Sequence, residues 1–153
     1  MAQSDEALIA LGRVAAASTT FEVVLSSMLS AATGMEPNRG LVVGGHSGAS
    51  AILGMLRSLS RQENALVSGP VFDAWLRRAE AALRGRNQVM HSAWIEMPDG
   101  KMSRVHARGM SLVPQPVDEV LAVAAELRAV TVAASTWVPD VVHEGTAGDL
   151  GLL

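Results

Sequence analysis

The chain has no cysteine and no tyrosine, and only three tryptophans and two phenylalanines among its 153 residues. The first absence excludes disulfide frameworks, thiolate nucleophiles and cysteine-ligated zinc or iron-sulfur centres. The scarcity of aromatics removes most of the flat side chains on which unpaired bases stack, so aromatic recognition of nucleic acid is disfavoured. Other missing signals narrow the class further. The start, Met1-Ala2-Gln3-Ser4-Asp5-Glu6, is acidic and has no basic stretch ahead of an apolar run, so no secretory signal is expected. The longest uncharged stretch, Gly40 to Leu56, contains five glycines and is barely long enough to span a bilayer. The expectation is a soluble, cytoplasmic protein with no membrane partner.

Nucleotide and metal chemistry lack their usual residues too. No lysine follows a glycine-rich loop, which excludes a Walker-type phosphate cradle. The four histidines, His46, His91, His106 and His143, show no helical ligand spacing with one another, so no metal and no cofactor is expected. The run from Leu41 to Gly48 looks superficially like a nucleophile elbow around Ser47. That motif needs glycine two positions after the serine, where Ala49 stands. There is no internal repeat and no low-complexity segment.

What is present fits one helical domain. With 49% hydrophobic residues and a mean hydropathy of +0.27, the chain is large and apolar enough to fold around a single core. The net charge of −3 argues against a general nucleic-acid binder, yet the distribution is uneven. Between Arg77 and Arg108, seven basic residues (Arg77, Arg78, Arg84, Arg86, Lys101, Arg104, Arg108) face three acidic ones (Glu80, Glu96, Asp99), a local balance of +4. Such a segment is either a solvated face or a local attractor for a polyanion.

Periodicity predicts four helices. Ala7, Leu11, Val14, Phe21, Leu25 and Met28 form a heptad-like seam over about Ser4 to Thr33, with Ser18 its one soft position. Ser4 is the expected N-cap and Gly34 the expected terminator. The glycine-rich stretch Met35 to Gly45 reads as a loop, followed by a second helix from about Ser47 to Arg61 that presents Ile52, Leu53, Leu56 and Leu59. A third helix begins at Pro70 and carries Phe72, Leu76, Ala79, Leu83 and Met90. Pro98-Asp99-Gly100 then marks the turn of a short hairpin between Ala93 to Met97 and Met102 to Arg108. Its second arm places Arg104, His106 and Arg108 on one face, with Val105 and Ala107 on the other. A last helix is predicted over about Val117 to Trp137, through Val120, Val123, Ala124, Leu127, Val130 and Ala134, and Pro139 stops it. The fold class is therefore all-α, a four-helix bundle with a hairpin (about 93–108) inserted between helices three and four. The domain covers 1–138 and a loosely ordered tail 139–153. Trp75, Trp94 and Trp137 fall at bundle positions and read as core or interface anchors.

The chemistry concentrates in Arg86-Asn87-Gln88-Val89-Met90-His91. An arginine presents a planar fork suited to phosphate oxygens, and histidine is the side chain that titrates closest to neutral pH. On an ideal helix Asn87 and His91 share a face, with Arg84 one turn before and Trp94 one turn after. Arg86 instead lies close to the apolar stripe, so it must be buried against a partner charge or turned into an interface.

This cluster resembles the arginine, four-to-six residues, histidine motif of the HEPN superfamily, in the form where a polar residue, here Asn87, follows the arginine. His91-Ser92-Ala93-Trp94 continues the resemblance with a tryptophan after the histidine. The resemblance implies a metal-independent endoribonuclease, a toxin or defence component acting as a homodimer whose composite site takes the motif from both chains. It implies His91 as acid/base for attack of an RNA 2′-hydroxyl on the adjacent phosphorus, Arg86 as the stabiliser of phosphorane charge, and Asn87 as the residue that orients either. Arg84, Arg104, His106 and Arg108 are the expected substrate-binding residues around them. RNA, a second copy of the chain and a protein antitoxin are the implied partners.

Each motif residue also has a purely structural reading. Arg86 would pair with Glu22, Asp73 or Glu126, Asn87 would cap a neighbouring loop, and His91 would close the helix at its negative dipole end. The chain would then be a non-catalytic helical module for dimerisation or protein interaction.

Overall fold

The computed structural model describes residues 3–99, 101–106 and 111–138. Four helices, α1 (Gln3–Thr33), α2 (Pro37–Leu59), α3 (Pro70–Met90) and α4 (Val117–Ala133), form the bundle. Three short strands, β1 (Ala93–Glu96), β2 (Met102–His106) and β3 (Ser111–Pro114), lie between α3 and α4. The predicted all-α bundle with an inserted hairpin is thus present, and a third strand extends the hairpin into an antiparallel sheet of order β1-β2-β3. The segments at 107–110 and 139–153 lie outside the described residues, and with them Arg108 and the predicted tail.

Helix α1 is the central element, in contact with the other three helices and with β2. By length and composition its span Asp5–Thr33 would suffice to cross a membrane. Within the bundle it buries Ala7, Val14, Ser18, Phe21, Leu25 and Met28 of the predicted seam, leaves Leu11 half-buried, and adds Ala10, Ala17 and Val24 beside it. Gly34, at φ 65°, ends the helix in the left-handed region that glycine enters without strain. At the other end the helix already includes Gln3 and Ser4, so Ser4 stands inside it rather than at a cap.

Helices α3 and α4 begin where the sequence predicts, behind Pro70 and Pro116. The start of α3 is joined to the end of α4 by an aromatic node in which Phe72, Trp75 and Trp137 lie with ring centroids 5.2 to 5.7 Å apart. The Trp75 indole N–H donates to the Val130 carbonyl at 2.8 Å, so the buried indole keeps a partner. Regular α4 stops at Ala133, and the predicted last turn tightens into a 3-10 turn over Ala134–Thr136. In α3 the apolar stripe drifts by its last turn, burying Val89 in place of the predicted Met90, which is 38% exposed.

The segment Met35 to Gly45 is not a loop. From Pro37 onward it forms the first half of α2, broken only at Gly48, where φ 69° and ψ 153° leave helical space. The glycines that read as loop residues serve close approach. A Cβ on Gly40 would collide with the Ser30 hydroxyl, and one on Gly44 with Ser26. Ser26 and Ser30 turn their hydroxyls back onto α1, donating to the carbonyls of Glu22 (3.0 Å) and Ser26 (3.3 Å). That leaves a shallow trough for a helix with no side chain at the contact.

In the sheet, Trp94 stands opposite Arg104, and Arg104 opposite Val113. Val105 falls on the other face, opposite Ala93 and Leu112, so the predicted alternation of 104 and 105 holds. The turn is closed by the Met97 N–H to the Lys101 carbonyl (2.8 Å) and by the Lys101 N–H to Asp99 Oδ1 (3.1 Å). Strand β3 has no counterpart among the predicted elements: it is short and ends in Pro114, a residue tolerated on an edge strand but not inside a sheet.

Gly40→Ala and Gly44→Ala are each expected to lower unfolding stability by about 1 to 3 kcal/mol, since nothing beside the new methyl can yield without moving α1. Gly45→Ala, where a Cβ meets open space, should be neutral or stabilising by up to about 1 kcal/mol. Urea denaturation of the three variants checks this, and equal effects at all three positions would contradict the close-packing account.

Candidate functional site

The site forms where the last turn of α3 meets α1. Arg86 leaves α3 toward the middle of α1, and its guanidinium meets three acceptors there. Nε donates to Ser18 Oγ at 2.7 Å, Nη1 to Asn87 Oδ1 at 2.9 Å and Nη2 to Glu22 Oε1 at 3.0 Å. Ser18 and Glu22 are four residues apart, so they stand on one face of α1 and grip the fork from the same side. Of the three partners considered from the sequence, Glu22 is the one found, and the Arg86 side chain remains 20% exposed. The soft position in the α1 seam is what admits the guanidinium. An apolar residue at 18 would have left Nε facing hydrocarbon.

Asn87 therefore joins Arg86 rather than His91 or a neighbouring loop. Helix α3 ends at Met90, and His91 is its C-cap with φ −103° and ψ 10°. Its amide donates to the Asn87 carbonyl at 3.1 Å, so it stands one turn beyond Asn87, and its side chain is exposed. Among the described residues no hydrogen bond joins the imidazole to Arg86 or Asn87.

The sheet finishes α3. A helix end leaves carbonyls without partners, and side chains from the following strands supply them. Trp94 Nε1 donates to the Val89 carbonyl at 3.0 Å, so Trp94 acts from β1 and not from a further helical turn. Ser92 Oγ and, at 3.4 Å, Arg104 Nη1 both donate to the Gln88 carbonyl. Arg104 brings a cation to the negative end of the α3 dipole. Its Nε is buried and, among the described residues, has no hydrogen-bond partner.

The remaining predicted residues are dispersed. Arg84 is exposed on α3, His106 ends β2 opposite Ser111, and Arg108 lies outside the described residues. The basic segment is also less free than its count implies. Arg78 grips Glu126 through Nε (2.6 Å) and Nη2 (2.9 Å), which holds the Glu126 carboxyl below its ordinary range. Lys101 pairs with Asp99 at 3.1 Å, and Glu80 is taken by Arg57 at 2.7 Å. A cleft of about 810 Å³ lies by the hairpin turn, walled by Glu6, Pro98, Lys101, Met102 and Pro116, and neither Arg86, Asn87 nor His91 reaches it. Among the described residues, no three His, Asp or Glu side chains converge as a metal site requires. No protein-family model, no curated protein and no solved structure matches the chain.

Sequence reasoning passed over Ser18, which shows only as a polar interruption in an apolar seam, and named Glu22 only as one of three partners. Arg86→Ala is expected to cost about 1 to 3 kcal/mol in urea unfolding, because it leaves the buried Ser18 hydroxyl without its donor. Arg86→Lys should recover only part, since an ammonium cannot reach three acceptors in one plane. Unchanged stability in both variants would show that the node contributes nothing to the fold.

Proposed function

We propose that the chain is a HEPN-type metal-independent endoribonuclease whose working site is composite, built from Arg86 and Asn87 of one copy and His91 of another in a homodimer. The observation that carries this reading is the division of the motif. Arg86 and Asn87 are locked together against α1, whereas His91, five residues on, stands exposed past the end of the helix. A guanidinium has five N–H donors, of which three are used here; the two that remain lie one on Nη1 and one on Nη2, and a phosphodiester oxygen that takes Nη2 competes there with the Glu22 carboxylate.

In the reaction, a neutral imidazole at His91 accepts the proton of the RNA 2′-hydroxyl as its oxygen attacks the adjacent phosphorus. The P–O bond to the 5′-oxygen of the next nucleotide breaks, leaving a 2′,3′-cyclic phosphate, and the departing alkoxide takes a proton from an acid group or water. Arg86 stabilises the additional negative charge on the phosphorane oxygens. Asn87 orients Arg86 rather than His91 in this scheme, because its Oδ1 accepts from Nη1. Arg104, whose Nη1 lies at the Gln88 carbonyl, is the expected substrate-binding cation found at the same end of α3. Met90 and Ile95, both exposed, flank His91 in sequence and suit contact with a second copy.

One observation favours the alternative of a non-catalytic interaction module: Ser18, Asn87 and Glu22 already engage all three nitrogens of the Arg86 guanidinium, as a structural ion-pair node would. The two readings separate in one assay. Purified protein should cleave RNA in EDTA, and His91→Ala should reduce the rate by about 10² to 10⁴-fold, the usual share of a general acid–base group. The melting temperature should hardly change, since the exposed imidazole supports nothing in the core. Arg86→Ala is the poorer probe because its loss also affects folding. Cleavage that survives His91→Ala would sink the nuclease reading, and a strictly monomeric mass by light scattering would sink the composite site.

A further inference from the structure

We propose that Glu22 is the resident counter-anion of a phosphate seat on Arg86, and that it sets the affinity of that seat by having to be displaced. The inference rests on the reading of Arg86 as the phosphate-stabilising cation.

The geometry of the fork carries it. Nε and Nη2 form the side edge of a guanidinium, the edge that pairs two parallel N–H groups with two oxygens of a carboxylate or phosphate. Here Ser18 Oγ holds Nε and Glu22 Oε1 holds Nη2, so the edge is already occupied by a hydroxyl and a carboxylate from successive turns of α1. One N–H remains on Nη1 and one on Nη2, beside the Glu22 charge.

The three acceptors are not equivalent. Ser18 is neutral, 4% exposed and closest, at 2.7 Å, so it is a fixed support. Asn87 is neutral and adjacent to Arg86 in the chain, and it keeps its hold on Nη1 at 2.9 Å. Glu22 alone is charged, its side chain is 45% exposed and its bond is the longest of the three, at 3.0 Å. It also has somewhere to go. Glu22 lines a groove of about 230 Å³ between α1 and the glycine-rich part of α2, together with Thr19, Gly45 and Gly48. A swing into that groove frees Nη2 while Ser18 and Asn87 hold the guanidinium in place.

A phosphate oxyanion approaching Arg86 therefore meets a carboxylate at the donor it needs, and like charges side by side oppose its binding. Binding becomes an exchange: phosphate takes over Nη2, and Glu22 passes into solvent or the groove. A neutral ligand has no charge with which to compensate the ion pair it would break, so the seat discriminates for anions.

The test is a titration of the full chain with inorganic phosphate, followed through the Arg86 Nε–H resonance by NMR. Glu22→Gln keeps an oxygen acceptor but removes the charge, and it should bind phosphate roughly tenfold more tightly than the wild type, a change equal to about 1.4 kcal/mol. Ser18→Ala should bind more weakly. Unchanged or weaker phosphate affinity in a folded Glu22→Gln variant overturns the proposal. If that variant does not fold, Glu22→Asp, whose shorter side chain draws the carboxylate back, must shift affinity in the same direction, and absence of the shift overturns it equally. Tighter phosphate binding without RNA cleavage by any variant keeps the seat and discards the nuclease. RNA cleavage that depends on His91, together with unchanged phosphate affinity in Glu22→Gln, keeps the nuclease and discards the displacement.

Discussion

A guanidinium placed near the apolar stripe of a bundle helix must find acceptors there, and the answer to that demand organises this molecule. Arg86 occupies such a position on α3, and α1 meets it with Ser18 in the seam and Glu22 one turn on. Helix α1 packs on α2 and α4 over long stretches, whereas the α1–α3 crossing is sparser. The polar node at that crossing ties α3 to α1 with directional bonds that hydrocarbon contacts lack. Removing one partner is costly because the other is left desolvated, while the intact node costs little.

The same node explains why the two ends of the motif part. Arg86 is anchored inward, so the final turn of α3 is fixed relative to α1, and the chain must leave the helix soon afterward to begin β1. Trp94 and Arg104 stand opposite each other in the sheet, and both reach back to carbonyls of that turn. The sheet thereby acts as the cap of α3. His91, lying between helix and strand, is held by its backbone and left free in its side chain.

Much of this was legible in the sequence, and what was not has identifiable causes. The seams of α1 and α4 and the start of α3 followed from apolar spacing and proline, because burial on one face leaves a periodic trace. Arg86 leaning toward the core followed from its angular position. The first half of α2 was hidden because glycine carries two meanings: Gly40 and Gly44 look like turn residues but are there so that two helices can touch. Strand β3 was hidden because four residues ending in proline have no strand signal until β2 offers them an edge. The partners of Arg86 lie 64 and 68 residues away in the chain, and no local pattern pairs Ser18 or Glu22 with it.

Charge illustrates the difference between composition and arrangement most sharply. The segment from Arg77 to Arg108 sums to +4, but Glu126 lies against Arg78 and Glu22 against Arg86, each cancelling one unit, while Arg57 lies against Glu80 and returns one, leaving +3. The exposed Arg78–Glu126 pair adds little to stability. Its effect on the outer field is larger, because a neutralised arginine no longer draws a distant anion. Arg77 and Arg84 remain exposed without an ion-pair partner among the described residues, and Arg104 has an unsatisfied donor. Under the proposed reading, affinity for RNA comes from the fit of a single phosphate to fixed donors rather than from a broad field of free cations, and in this chain the donors held most firmly are those of Arg86.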